Sequence, residues 1–311
     1  MTITKFLDPK NDFCFKQVFG TEKNKDILIH FLNDILKFTG VYQIIDVTFL
    51  KTVQDAAIGA YRQSIVDVLC KDQNGDQIIV EMQISKHKGF EKRAQFYAAK
   101  AYSQQVLKED ENHKKLAVYA KLKAVIFLAI ANFTMFPEKK AVKSEHRLLD
   151  TKTHEHDLKD FYFVFLELEK FKKTIDQLEN IEDKWLYFLK HAESSTFKEI
   201  EHLIGSDGII RRAFEAIDQA AWTEEELNTY EQMIKTRLDN LAVEQQKIED
   251  AEIRGEARGE IRGEARGEAR GEIRGKAERD IEIARKMLSK NHTISDISDL
   301  TGLPLEEISK L

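Results

Sequence analysis

The sequence has few cysteines, no long apolar segment and no excess of basic residues. Cys14 and Cys70 are its two cysteines, and both lie among apolar neighbours, which predicts buried free thiols in a reducing cytoplasm. No apolar run is as long as a membrane span and the first residues lack a signal-peptide pattern, so we expect a cytoplasmic protein with no membrane partner. The net charge of -6 argues against a DNA coat protein, but not against an enzyme whose basic residues line one groove.

Several catalytic patterns are also missing. No Ser/His/Asp arrangement and no phosphate-cradling glycine loop is visible, since the glycines after Gly255 follow a short repeat. His146, His154 and His156 lie near two acidic residues, but their spacing matches no closed zinc site, and this stretch is predicted to be a polar loop.

The residues that are present divide the chain into four regions. Residues 1–172 mix helical and strand patterns, which predicts a sandwich of helices around a mixed sheet, and residues 173–245 form a helical subdomain. Residues 246–278 contain a repeat of four residues built from Gly, Glu, Ala or Ile, and Arg. Residues 279–311 are expected to form a C-terminal helical hairpin that packs or binds a partner.

The patterns in the first region give an order of elements. Hydrophobic spacing predicts helices, the first capped by Asn11 or Asp12. Apolar runs and alternation predict strands. The helices are predicted over 9–19, 27–36 and 90–108, and the strands over 44–49, 64–70, 77–85, 123–131 and 162–168.

Two predicted strands each contain a carboxylate in an otherwise apolar run. Asp67 lies in IVDVLC and Glu81 in IIVEMQIS. Ionised groups are costly to bury unless they are paired or bound to a metal, so both acids need an explanation. Because side chains alternate along a strand, Glu81 and Gln83 project from the same face.

The length of the connecting loop decides whether Asp67 joins them. A two-residue loop would put Asp67 opposite Met82, on the wrong face. A three-residue loop over 73–75 puts Asp67 opposite Glu81, and it needs a left-handed residue at its last position, where the chain has Gly75. We therefore predict the three-residue loop.

Two carboxylates and an amide oxygen would then converge on one point. Such oxygen ligands suit Mg²⁺ or Mn²⁺, with Asp67 and Glu81 as the metal ligands. A metal there could acidify a bound water and stabilise the charge of a phosphodiester. The alternative is a carboxylate pair that is neutralised by a cation from the next helix, such as Arg93.

Four segments together resemble the Rpn family of recombination-promoting nucleases, which belongs to the PD-(D/E)xK superfamily. In chain order they are PKNDFCFKQVFG, DVLCKDQNGDQIIVEMQ, KRAQFYAAKAYSQQ and FLELEKF. The resemblance implies an α/β, restriction-endonuclease-like core with a helical C-terminal extension. It places Asp67 at the Asp position of the motif and Glu81 at its second acidic position, while Gln83 stands where the superfamily name has Lys.

A neutral amide at Gln83 cannot position or deprotonate the attacking water as a Lys would. Lys16 and Lys100 are therefore candidates for a cation supplied from elsewhere, although solvated surface positions are the simpler interpretation of both. Asp12 could add a carboxylate to the catalytic group through water, or it could simply cap its helix.

Arg93 and Tyr97 are one helical turn apart and face the same way. They are candidates for substrate binding at the scissile phosphate, together with Lys100. Packing beside the acids is the alternative for both Arg93 and Tyr97.

The repeat sets Glu and Arg on nearly opposite sides of a helix, in slowly winding stripes of like charge. Two copies could match a Glu stripe to an Arg stripe, which predicts a homo-oligomer through the C-terminal helical region. An extended or frayed linker is the alternative, because each Gly costs up to about 1 kcal/mol of helix stability relative to Ala.

The resemblance implies a metal-dependent DNA endonuclease with a role in recombination, mobile elements or defence against foreign DNA. The alternative is a nuclease fold that has lost its chemistry and acts as a DNA- or protein-binding regulator. The missing motif Lys and the negative net charge support this second interpretation.

Overall fold

A computed structural model describes residues 5–54, 64–109, 119–205 and 207–311. The chain divides into two compact units, Met1–Lys235 and Thr236–Leu311. A continuous helix, α7 (Glu224–Leu288), begins in the first unit and ends in the second.

The first unit contains a sheet and most of the helices. Its helices before α7 are α1 (Asp12–Phe19), α2 (Lys25–Leu36), α3 (Phe90–Glu109), α4 (Ile181–His191), α5 (Phe197–Ile204) and α6 (Gly208–Ala216). Its strands are β1 (Val47–Phe49), β2 (Val53–Gln54), β3 (Ser64–Ile65), β4 (Val68–Asp72), β5 (Gln77–Gln83), β6 (Val125–Ala131), β7 (Lys143–Arg147) and β8 (Phe161–Glu167). Short 3-10 turns cover Glu22–Asn24, Gly40–Tyr42, Tyr119–Lys121, Leu168–Lys170, Ile175–Gln177, Ala192–Ser194 and Gln219–Ala221.

The main sheet is mixed and has the order β1-β4-β5-β6-β8-β7, while β2 and β3 form a separate pair. Strands β5, β6 and β8 are parallel, and their neighbours on both sides run antiparallel. All seven residues of β6 are buried, as expected for the middle of a sheet that is covered on both faces. The α/β core expected from the sequence is confirmed.

Helices cover the two faces of the sheet with different sets of residues. Val80 and Met82 of β5 pack in the same cluster as residues of α1 and α2. Ile79 points the other way and packs with Ala94 and Ala98 of α3. Glu81 and Gln83 share the face of Ile79 because side chains alternate, so they lie on the side of α3.

The elements differ from the predicted ones in three places. The strand predicted over 64–70 is interrupted at Val66 and Asp67. Of the strand predicted over 44–49, only Val47–Phe49 (β1) is a strand. The polar loop predicted for the three histidines holds for His154 and His156, but His146 lies in β7, an edge strand. An edge strand has one neighbour and partly solvated side chains, so KSEHR lacks the apolar alternation that marks an inner strand.

The helices after the sheet complete the core of the first unit. Trp185 of α4 is fully buried against Phe31 of α2, and its indole N–H donates to Asp34 at 2.7 Å. Ala213 and Phe214 of α6 belong to the same cluster. The helices of the region predicted as a helical subdomain over 173–245 pack, as far as Ile234, in the same apolar cluster as the sheet.

The first helix begins as the sequence suggested. Asn11 is its cap, because its side-chain oxygen accepts from the N–H groups of Phe13 and Cys14. Asp12 is then the first helical residue. Cys14 and Cys70 are free thiols and both are fully buried, and burial raises the pKa of each.

In the second unit the repeat lies within α7 and is helical, and its self-association stays a prediction. Helices α8 (Ile294–Thr301) and α9 (Leu305–Ile308) follow, and Ala284, Ile297 and Ile308 form a small apolar cluster with α7. Within the described parts of the chain, no helix combines the length and the apolar character that crossing a membrane requires.

Candidate active site

The hairpin of β4 and β5 fixes the position of the acids. Val68 pairs with Val80 and Lys71 with Gln77, so the loop consists of residues 73–75. The N–H of Asp72 donates to the carbonyl of Asp76 at 3.0 Å and closes the loop. Gly75 has a φ of +89°, the left-handed conformation that the last loop position requires. The predicted three-residue loop is confirmed.

Asp67 and Glu81 interlock where the ladder of β4 and β5 ends. The N–H of Asp67 donates to the Glu81 carboxylate at 3.2 Å. The carboxylate of Asp67 accepts in turn from the N–H of Met82 at 2.9 Å. The Asp67 carboxylate thus takes the place of the Val66 carbonyl, to which the N–H of Met82 would donate in a continued ladder. This exchange explains why the strand is interrupted at Asp67 and why the two carboxyl groups are neighbours.

Burial makes Glu81 an unusual acid. The residue is only 6% exposed, and it is one of the few buried charged residues in the described chain. Loss of solvation, followed by the negative charge of Asp67, raises the pKa of Glu81 to about 8. The N–H of Asp67 and the cations Arg93 and Lys16 act in the opposite direction. Burial is therefore the main reason that Glu81 holds its proton to a higher pH than an ordinary glutamate.

Lys16 reaches this pair from α1. Its Nζ lies 3.2 Å from Oδ1 of Asp67, and its side chain is about two-fifths exposed. Of the two cation candidates, Lys16 is thus a direct neighbour of a motif acid. Asp12 lies one turn earlier on α1 and is exposed, and its part in the site stays a prediction.

Arg93 of α3 joins Gln83 and Glu81. Its Nη2 donates to the Gln83 side-chain oxygen and lies 3.9 Å from Oε1 of Glu81. The guanidinium is held between two rings, with its Cζ 4.9 Å from the centroid of Phe90 and 5.9 Å from that of Tyr97. Its Nε is buried and has no hydrogen-bond partner in the described chain.

Tyr97 and Lys100 follow Arg93 along the same face of α3. Burial raises the pKa of the Tyr97 hydroxyl, and the charges of Glu81 and Asp67 add to the effect, so the phenol lies within electrostatic reach of both acids. Lys100 is partly buried one turn further on. A contact of either residue with a phosphate stays a prediction.

The donor set suits a hard divalent cation bound by few protein ligands. Asp67 and Glu81 provide carboxylate oxygens, and their mutual repulsion would be relieved by a cation. The Gln83 oxygen is engaged by Arg93, and its amide N–H donates to Ser85 at 3.0 Å. In the described residues, no group of three or more His, Cys, Asp or Glu side chains could hold a metal. A cation here would complete its shell with water or substrate oxygens, as Mg²⁺ commonly does.

A buried acid that the sequence analysis missed ends β8. Glu167 is fully buried and accepts from the N–H groups of Met135 and Phe136 at 2.6 and 3.0 Å. Lys170 donates to it at 2.8 Å. The two N–H groups belong to the segment after β6 and Lys170 to the turn after β8, so Glu167 joins these two segments and is structural. The rule that singled out Asp67, an acid in an apolar strand, would have found it in FLELEKF.

The comparison with protein families agrees with this geometry. The sequence model of a family described as "PD-(D/E)XK nuclease family transposase" matches residues 9–247. The chain belongs to this family. The matched region includes the whole sheet and the acid pair, and it ends before the repeat that starts at Ala251. No curated protein and no solved structure gives a significant match to the chain.

Proposed function

We propose that this PD-(D/E)XK protein is a metal-dependent DNA endonuclease that hydrolyses phosphodiester bonds at Asp67 and Glu81. The observation that carries the proposal is the interlocked pair: two neighbouring carboxylates, one of them nearly buried, with a pKa for Glu81 of about 8. Perturbed acids of this kind are typical of functional sites. The family supplies the reaction class, which is cleavage of nucleic acid.

Asp67 and Glu81 are the residues that would hold Mg²⁺ or Mn²⁺. When bound, such an ion supplies an acidified water and Lewis-acid stabilisation of the phosphodiester. Glu81 must lose its proton to bind a cation, so metal binding and proton release are coupled at this residue.

The cations of the site take the part that the motif Lys plays elsewhere in the superfamily. In this proposal Lys16 stabilises negative charge near Asp67, where the ammonium is already placed. The guanidinium of Arg93 lies 3.9 Å from Glu81, and in this proposal it donates to a phosphate oxygen beside the acid pair. Gln83 orients Arg93 through its side-chain oxygen. Tyr97 and Lys100 extend the substrate-binding face along α3.

DNA is the proposed substrate, and the cellular context is recombination, mobile elements or defence against foreign DNA. A cytoplasmic location is part of this proposal. Hydrolysis is favoured over strand transfer in this proposal, because a metal held by Asp67 and Glu81 would activate a water.

A second function is favoured by one observation. Arg93 and Lys16 already contact Glu81 and Asp67, so a nuclease fold with a self-neutralised site would be stable without a metal. Such a protein would act as a DNA- or protein-binding regulator. The two functions differ in one property, since a self-neutralised site would not be stabilised by Mn²⁺.

The test is cleavage of supercoiled plasmid by the purified full-length chain, with and without Mg²⁺ or Mn²⁺. We expect metal-dependent nicking or linearisation that disappears in Asp67→Asn and Glu81→Gln. The matched control is Asp76→Asn, at the loop end of the same hairpin, where an Asn oxygen can still accept from the N–H of Ala124. Cleavage by the two site variants, or none by the wild type, would contradict the proposal.

We also propose that copies of the chain associate through the repeat in α7. The repeat is helical and its apolar side chains, such as Ile253, Ile261 and Ile273, are exposed. A Glu stripe of one copy can face an Arg stripe of another, and glycines permit close approach.

Sedimentation velocity at increasing protein concentration tests the association. We expect Arg262→Glu combined with Arg266→Glu to weaken self-association of the full chain. Mixing this variant with one that carries Glu260→Arg and Glu264→Arg should restore it. A wild type that stays monomeric at every concentration would contradict the proposal.

A further inference from the structure

Phe96 is a large apolar side chain in an exposed position. It lies on α3 and is 57% exposed. By contrast, Ala94 and Ala98 of the same helix pack against the sheet and are fully buried. Its ring centroid lies 6.1 Å from that of Tyr97, at an angle of 53°. Packing of the first unit therefore does not account for a phenylalanine at this position.

Two lysines flank the exposed ring. Lys92 and Lys100 lie four residues before and after Phe96, so the three side chains form one stripe along α3. Lys92 is exposed and Lys100 is partly buried. A ring between two ammonium groups, spaced one helical turn apart, combines an apolar stacking face with positive charge. This combination is the one used for single-stranded nucleic acid, where bases stack and phosphates pair with cations.

The stripe lies beside the acid pair. Phe96 neighbours Tyr97, whose ring centroid is 5.9 Å from the Cζ of Arg93, and Arg93 lies 3.9 Å from Glu81. Phe96 is thus linked to Glu81 through Tyr97 and Arg93, so a strand held on its ring would lead toward the acid pair.

We propose that Phe96 is a base-stacking contact for an unpaired nucleotide of the DNA substrate, with Lys92 and Lys100 contacting the neighbouring phosphates. The proposal deepens the proposed nuclease function and rests on it for the identity of the substrate. An unpaired base has two sources, a single strand or a base turned out of a distorted duplex. Both present the same aromatic face to the ring.

The experiment measures DNA binding separately from cleavage. The full-length chain is titrated into a fluorescent oligonucleotide in EDTA, so that no metal-dependent cleavage occurs. The probes are a single strand, a perfect duplex and a duplex with one unpaired base, all at one fixed salt concentration. Base-aromatic stacking predicts that Phe96→Ala weakens binding to the single strand by about 5- to 150-fold. Phe96→Trp should retain the affinity, because the indole also stacks.

A matched control is available on α5. Phe197 is 64% exposed and, like Phe96, lies near a lysine, since Nζ of Lys5 is 5.8 Å from its ring centroid. Phe197→Ala should leave binding to every probe unchanged. Circular dichroism of each variant checks that the fold is kept, which we expect because both rings are exposed.

The pattern across the probes identifies the source of the base. Loss of affinity by Phe96→Ala for the single strand alone indicates single-stranded substrate, and loss for the duplex with an unpaired base as well indicates a base turned outward. The proposal would be overturned if Phe96→Ala and the wild type bound the single strand and the duplex with an unpaired base with equal affinity. It would also be overturned if the wild type bound neither of these two probes. Because these readouts need no metal, a failed plasmid assay alongside Phe96-dependent binding would refute hydrolysis but not the stacking contact.

Discussion

The main-chain N–H of Asp67 donates to the carboxylate of Glu81 at 3.2 Å, and so joins the two acids of the motif across the hairpin. A second hydrogen bond runs in the opposite direction, from the N–H of Met82 to the carboxylate of Asp67. Each carboxylate is therefore held by a main-chain N–H, that of Asp67 for Glu81 and that of Met82 for Asp67. Such preorganisation is what a metal-binding or charge-stabilising site needs.

The raised pKa of Glu81 predicts how stability depends on pH. In the folded, metal-free chain this pKa is about 8, against 4.5 for an ordinary Glu. Between these values the folded state holds a proton that the unfolded state has lost, so the free energy of unfolding falls as the pH rises from about 4.5 to about 8.

Replacing Glu81 by Gln should remove this dependence. We expect Glu81→Gln to be more stable than the wild type at pH 8 to 9, by on the order of a few kcal/mol, and similar to it near pH 4.5. Chemical denaturation in EDTA at several pH values measures the difference. Parallel curves for the two proteins would show that Glu81 titrates normally.

Metal binding should stabilise the chain through the same two acids. At a free Mn²⁺ concentration of 100 times Kd, the expected gain is about 2.7 kcal/mol, which corresponds to a rise in Tm of a few degrees. At one fixed Mn²⁺ concentration the gain should be larger at pH 8 than at pH 6, because Glu81 must be deprotonated to bind the ion and Kd is therefore lower at pH 8. Thermal denaturation with Asp67→Asn as the control measures it. An equal rise in that variant would place the ion elsewhere.

Lys16 should matter for cleavage through its charge next to Asp67. We expect Lys16→Met to lower kcat for plasmid cleavage by about 100-fold, the typical effect of removing one charge-stabilising donor. Lys16→Arg should retain more activity because it keeps the charge.

The control for Lys16 is Lys25→Met. Lys25 is also a partly exposed lysine of a helix and is paired with an acid, Asp46, at 2.6 Å. Its removal should leave kcat unchanged. If both variants lose activity equally, or if Lys16→Met loses none, Lys16 has no special part in the reaction.

The pairing of Asp67 with Glu81 could be predicted from the sequence because it depends on two local features, the glycine at position 75 and the length of the loop. The loop over 73–75 is set by Gly75, and its length fixes the register that places Asp67 beside Glu81. The family resemblance then gave the superfamily, which the family comparison confirmed.

The tertiary contacts of the site could not be predicted in the same way. Nothing in the spacing of Lys16 shows that α1 brings it to Asp67 rather than to water, because that contact joins segments 51 residues apart. The break at Asp67 was missed for a related reason, since its N–H is satisfied by a side chain instead of the ladder. Strand β7 was missed because an edge strand needs little apolar alternation.

The loop that sets the register gives a prediction of its own. Gly75 has a φ of +89°, and a Cβ there would meet only the Lys123 side chain, at 3.4 Å, so the cost of a substitution is conformational. We expect Gly75→Ala to lower the free energy of unfolding by about 1–2 kcal/mol, and Gly75→Asn by less. Gly208→Ala is the control, because Gly208 is helical with open space around its Cβ position and should gain about 0.4–1 kcal/mol. Urea denaturation compares the three variants. If Gly75→Ala were as stable as the wild type, the loop would not need a left-handed residue at this position. Gly75 would then not explain the register that places Asp67 beside Glu81.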